Sequence, residues 1–99
     1  MNTVNVVGKI SSDPMKSTSS NGVQFAKFKL AVEKANKDGN ANGYDIFEIV
    51  VFRELADLDY KVGHYAAITG KLTSNNYEKD DKQYYNCQIV GTSVLLMGK

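Results

Sequence analysis

The sequence predicts an all-β fold: a five-stranded barrel with a short helix between its third and fourth strands. Three observations carry this. Apolar side chains alternate with lysine or polar ones at period two through most of the chain. Clusters of Asn, Gly, Asp and Ser punctuate the segments. One stretch, Glu54 to Val62, departs from alternation and takes helical spacing.

Val4, Val6, Val7 and Ile10 form the first strand, which stops at Ser11-Ser12-Asp13-Pro14, a turn containing the only proline. Lys16 to Gly22 is polar and reads as a loop closing in a tight Asn21-Gly22 turn. From Val23 to Glu33, Phe28, Leu30 and Val32 alternate with Lys27, Lys29 and Ala31, so one face is apolar and the other carries lysine. Lys34 to Gly43 is a second loop. Tyr44 to Arg53 is the strongest strand: Phe47, Ile49 and Val51 point one way and Tyr44, Ile46, Glu48, Val50 and Phe52 the other. With two largely apolar faces it belongs in the middle of the sheet. Leu55, Leu58 and Val62 fall at helical spacing before Gly63. Tyr65 to Leu72 returns to strand, with Ala66, Ile68 and Leu72 as one face. Ser74 to Gln83 is a polar hairpin tip, and Tyr84 to Val90 with Val94 to Met97 make the last strand, bent at Gly91.

Five strands with a helix between the third and fourth is the order of the OB-fold, a Greek-key barrel that binds oligonucleotides or oligosaccharides and also serves in protein docking. At 99 residues the chain has room for one domain, expected over 1–99. The 42% apolar and 23% charged residues are globular values. A net charge of +1 gives no general attraction to nucleic acid, so such a binder would have to gather its lysines on one face.

Catalysis finds little support. The chain has one cysteine, Cys87, and one histidine, His64, too few for a paired Cys/His metal site or an internal disulfide. His64 follows Gly63 at a strand start, with no Ser or Cys nucleophile placed for it, and reads as structural or surface. Gly39 and Gly43 lie in a polar loop without the Lys-Ser or Lys-Thr of a phosphate loop. Glu78-Lys79-Asp80-Asp81-Lys82 reads as a solvated tip. No catalytic residue, metal or cofactor is expected. The N-terminus has no signal pattern, and the longest apolar run, Ile49 to Phe52, is too short to span a bilayer; a cytoplasmic location is expected.

Binding is better supported. Proteins that hold single strands combine a basic groove with aromatic faces on which bases stack. The chain has six tyrosines and four phenylalanines and no tryptophan. Phe28 and Phe47 share faces with aliphatic residues and belong to the core. Phe52 lies opposite Phe47, and Tyr77 sits in a polar hairpin with no core to join, so both are stacking candidates. Lys27 and Lys29 project from a strand between core residues. Lys9, Lys71, Lys79 and Arg53 are further candidates for phosphate contacts.

The segments Val4 to Ile10, Asp13-Pro14, Asn21-Gly22 and Phe28 to Val32 resemble the N-terminal half of bacterial and phage single-stranded DNA-binding proteins. Ile49 to Asp57, Gly63, Gly70-Lys71-Leu72, Asn76-Tyr77-Glu78 and Val90 to Met97 continue the resemblance over nearly the whole chain. It implies base stacking on the second and third strands and the long hairpin, a homotetramer or else a dimer with first strands pairing, and a role in DNA replication, recombination and repair. By matched position Phe52 and Tyr77 keep an aromatic. Ile46 stands where the family often has Trp or Phe, and Asn36 near another aromatic position. Tyr44 shares the strand face of Ile46 and offers a substitute. The resemblance therefore implies weaker binding, or a shorter footprint, than in a tryptophan-rich member. Family members commonly run on into a flexible tail with an acidic tip, whereas this sequence ends Leu96-Met97-Gly98-Lys99. It is either a folded core or a short variant such as a phage or plasmid carries.

The leading expectation is a sequence-tolerant binder of single-stranded DNA. The alternative is a non-catalytic OB-fold interaction subunit of a replication or primosome assembly.

Overall fold

The computed structural model describes residues 1–35 and 41–99, and of residues 35, 41, 42, 75–77 and 83–86 the backbone alone. The strands are β1 (Val4–Ile10), β2 (Met15–Thr18), β3 (Gln24–Ala35), β4 (Ala41–Phe52), β5 (Tyr65–Lys79) and β6 (Lys82–Gly98), with a 3₁₀ helix at Arg53–Asp57. They form one sheet in the order β1-β5-β6-β4-β3-β2. β1 also pairs with β3, Lys9 with Ala31 and Ile10 with Leu30, and this closes the sheet into a barrel. β4 runs between β3 and β6, the central place its two apolar faces require. It is antiparallel to β3 and parallel to β6.

The inward residues of the strands make the core. Ile10, Phe28, Leu30, Ile49, Val51 and Ile68 are each at most 2% exposed. Phe47 packs against them, partly buried. The floor is closed by Tyr60, whose ring stacks on Phe28 at 4.4 Å between centroids and whose hydroxyl donates to the Leu55 carbonyl at 2.6 Å. Burial pushes the Tyr60 phenol up to about 12. His64 serves through its backbone: its carbonyl accepts from Ile10 N–H at 2.9 Å, and Gly63 N–H donates to the Ile10 carbonyl at 2.9 Å.

All five expected strands are present, and a sixth, β2, falls within the stretch expected to be a loop. Its four residues are exposed and carry no apolar alternation. It is held by backbone pairing with β3, from Met15–Lys27 to Thr18–Gln24. The Asn-Gly turn after it is as expected, with Gly22 at φ 82° and its N–H donating to the Ser19 carbonyl at 2.9 Å. The expected helix over Glu54 to Val62 is shorter: the 3₁₀ stretch ends at Asp57 and Leu58 is already extended. Leu55 and Leu58 reach the core, but Val62 is 50% exposed, so nothing buries a second helical turn. Leu72 keeps the face it shares with Ala66 and Ile68, paired with the buried Ile89, but is itself exposed. Between Ile68 and Leu72 the ladder shifts register: Thr69 pairs with Ser93 but Gly70 with Gly91, leaving Thr92 on β6 as the extra residue of a bulge. That is the bend expected at Gly91. The close approach requires glycine, because a Cβ on Gly70 would run into the Val90 carbonyl oxygen.

Beyond the bulge, β5 and β6 continue as one ladder to Lys79–Lys82. Asp80 and Asp81, at φ 54° and 64°, make the two-residue turn. Among the described residues no helix is long and apolar enough to cross a membrane.

Candidate nucleic-acid interface

Residues opposite each other on neighbouring strands share a face. With Ile49 and Val51 pointing into the barrel, the other side of β4 carries Tyr44, Ile46, Glu48, Val50 and Phe52, of which Val50 is covered, at 4% exposed, and Glu48 half-buried. Tyr44 is 58%, Ile46 53% and Phe52 40% exposed. Large apolar side chains left in water along one face mark a binding surface rather than a packing one.

The register of β3 supplies the rest. Phe25 lies opposite Phe52, Lys27 opposite Val50, Lys29 opposite Glu48, and Ala31 opposite Ile46. The rings of Phe25 and Phe52 stand 6.4 Å apart, tilted by 51°. Lys27 Nζ lies 5.7 Å from the Phe25 centroid, a cation–π contact that holds the lysine against the aromatic pair. Arg53 follows directly, with φ 60° and an exposed side chain. Its left-handed backbone strains a residue with a Cβ. Arg53 also borders an open hollow of about 470 Å³ with Gly22, Gln24 and Asp57.

Across the sheet, Lys71 on β5 pairs with Val90, and Val90 pairs with Val50. Lys71, Val90, Val50 and Lys27 therefore form one row over four strands. Lys9 extends the face on the far side of β3, opposite Ala31, with its Nζ 5.3 Å from the Tyr65 centroid. Of the predicted residues, the structure thus brings Phe52, Lys27, Lys29, Tyr44, Ile46, Lys9 and Lys71 onto one outer surface, with Arg53 exposed at the end of β4 next to Phe52. Lys79 stands apart at the hairpin tip. The Tyr77 backbone pairs with Tyr84 in that hairpin, but its side chain lies outside the described residues, as does the whole of Asn36.

Two aromatic residues of this surface, Phe25 and Tyr65, were not singled out as site candidates from sequence. The signal for Phe25 was present: it is in phase with Lys27 and Lys29, the pair that marked the outer face. Among the described residues, two acids are held in ion pairs. Asp45 pairs with Lys34 at 3.3 Å and Asp59 with Lys61 at 3.4 Å. Two acids lie on the face itself: Glu33 at its end, exposed and opposite Tyr44, and Glu48, half-buried in its middle. Among the described residues no three His, Cys, Asp or Glu side chains group as metal ligands.

A closed barrel of this topology, with a face of aromatic and basic residues over its central strands, is an OB-fold. The family model described as the single-strand binding protein family matches residues 1–97, and the chain belongs to that family. A single-stranded DNA-binding protein of Bacillus cereus is 36% identical over 95% of this chain, and the match spans 58% of that protein. Single-stranded DNA-binding protein 1 of Staphylococcus aureus is 32% identical over 95% of the chain and 64% of its own length. The chain thus spans roughly three fifths of these relatives. A Plasmodium falciparum SSB solved in complex with ssDNA superposes with a TM-score of 0.83, covering 98% of this chain and 95% of that one at 18% identity. A small single-stranded DNA-binding protein from Streptomyces coelicolor gives 0.76, covering 96% and 93%, also at 18% identity. At that identity both show the fold alone.

Proposed function

We propose that this chain is a sequence-tolerant, non-catalytic binder of single-stranded DNA, acting in the cytoplasm in replication, recombination and repair. The observation that carries the reading is the Phe25–Phe52 pair on the outer face, Phe25 half-buried and Phe52 exposed, with Lys27 against the Phe25 ring and Arg53 next in sequence to Phe52. Bases stack on the rings while Lys27, Lys29, Lys71, Lys9 and Arg53 meet phosphates and release counterions. Lys79 and Tyr77 would extend the path along the hairpin. Ile46 offers apolar contact but no π face, so Tyr44 is the stacking partner at that end.

Self-association goes with it. Val7 on β1 pairs with Ala67 on β5, and Ala67 with Leu95 on β6, so these side chains share one outer face. Val7 is 56% and Leu95 63% exposed, and Met97 adds to them at 46%. Such an apolar patch suits a second copy, in a tetramer or a dimer. Light scattering at micromolar concentration tests this, and a monomeric mass would refute it.

The binding test is titration with oligo-dT, followed by intrinsic tyrosine fluorescence. Saturable quenching that salt reverses is expected. A flat trace would favour a protein-docking subunit of a replication assembly instead.

A further inference from the structure

A carboxylate in the middle of a phosphate-binding face works against affinity, so Glu48 calls for an explanation. The side chain is fixed. Gln88, its pairing partner on β6, donates from Nε2 to Glu48 Oε1 at 2.6 Å. With its amide so committed, Gln88 orients the carboxylate, and the pair offers oxygen acceptors to whatever lies on the face. Lys29, directly across on β3, makes no ion pair with Glu48. Glu48 also borders an open hollow of about 240 Å³ with Lys27, Lys29, Met15 and Asp13. That is smaller than pockets enclosing a drug-sized ligand, about 300–1,000 Å³, and suits one flat ring. Met15 and the stems of Lys27 and Lys29 line the hollow and give such a ring apolar contact.

We propose that Glu48, positioned by Gln88, makes this face favour bases carrying an exocyclic amine over thymine. This rests on the reading of the face as a single-strand binding surface. A carboxylate accepts the N4 amine of cytosine, as it does in duplex recognition, and repels the O4 of thymine. Adenine and guanine bring amines of their own, but cytosine and thymine match in size and isolate the effect. Glu48 is thus a specificity-determining residue on a surface whose stacking and phosphate contacts are indifferent to sequence.

The test is competition between short oligo-dC and oligo-dT of equal length, at one salt concentration, for wild type and Glu48→Gln. Removing the charge raises phosphate affinity for both oligomers alike, so the ratio cancels that effect. The glutamine amide can donate to thymine O4, and the dC-to-dT affinity ratio is expected to fall at least about tenfold, the scale of one hydrogen bond to a charged group. A second measurement needs no variant: oligo-dC dimethylated at N4 keeps its ring but has no amine hydrogen, and should bind wild type at least about tenfold more weakly than oligo-dC. An unchanged ratio in Glu48→Gln, or equal binding of the dimethylated oligomer, with both plain oligomers still bound, overturns the proposal and leaves the binding face standing. If wild type binds neither oligomer, both fall together.

Discussion

Phe25 and Phe52 face each other across the β3–β4 ladder with ring centroids 6.4 Å apart, and both rings lie outside the core. A tilted pair held by two backbone strands is already ordered before a ligand arrives, so stacking on it costs little further side-chain entropy. One base stacked on an aromatic ring contributes about 1–3 kcal/mol. Phe52→Ala is therefore expected to weaken oligo-dT binding roughly five- to a hundredfold. Its melting temperature should move little, because the ring is already 40% exposed. Fluorescence titration beside a thermal melt checks both; unchanged affinity would move the stacking surface away from these strands.

Arg53 stands next to Phe52 at φ 60°, a backbone conformation that glycine adopts freely and arginine does not. Strain of this kind concentrates where a side chain is needed for function. Arg53→Gly is expected to stabilise the fold by about 0.5–1 kcal/mol, relief of the left-handed penalty being partly offset by chain entropy. Binding should weaken in the same variant. The slope of log affinity against log salt should drop by about 0.7, one single-strand phosphate contact. Denaturant unfolding and a salt series would separate the two effects; loss of both stability and affinity would mean that the arginine supports the fold.

Most of this surface was legible because period two fixes faces. Lys27 and Lys29 on one side of β3, and Phe52 opposite Phe47 on β4, needed only alternation. What alternation could not give was the neighbour across the ladder. Nothing local ties Phe25 to Phe52, Glu48 to Gln88 or Lys71 to Val50, since each link depends on a register set by the whole barrel. β2 escaped for a different reason: it buries no side chain, so its ladder left no apolar mark on the sequence. The helix was overestimated because Leu58 and Val62 fit a helical spacing that the core had no room to reward.

Tyr60 gives the fold an alkaline limit. Its phenol is raised from 10.0 to about 12 by burial, so between those values the folded state holds a proton that the unfolded state has lost. Stability then falls as pH rises through that window, by up to about 2–3 kcal/mol at its upper end. Tyr60→Phe removes the titrating group along with the hydrogen bond to Leu55. It should cost about 1 kcal/mol at neutral pH and flatten the decline between pH 10 and 12. Urea unfolding at several pH values checks the crossing; parallel curves for the two proteins would show that Tyr60 does not govern alkaline unfolding.

Gly70 couples the barrel to the binding face. A Cβ there would meet the Val90 carbonyl oxygen, which is backbone of the next strand and cannot swing aside. Gly22 is the useful contrast: its φ is 82°, but nothing lies within 4 Å of where its Cβ would stand. Gly22→Ala should therefore cost only the conformational penalty, about 1–2 kcal/mol. Gly70→Ala must push β5 and β6 apart at the Thr92 bulge and should cost at least about 2–3 kcal/mol. The displacement would not stay local. Lys71 follows Gly70, and its row runs through Val90 and Val50 to Lys27. In conditions where Gly70→Ala is still fully folded, its affinity for oligo-dT should be lower than wild type, because Lys71 has been moved off the line of the face. Normal affinity in the folded variant would mean that the strand separation is absorbed in the hairpin and that Lys71 lies outside the path of the DNA.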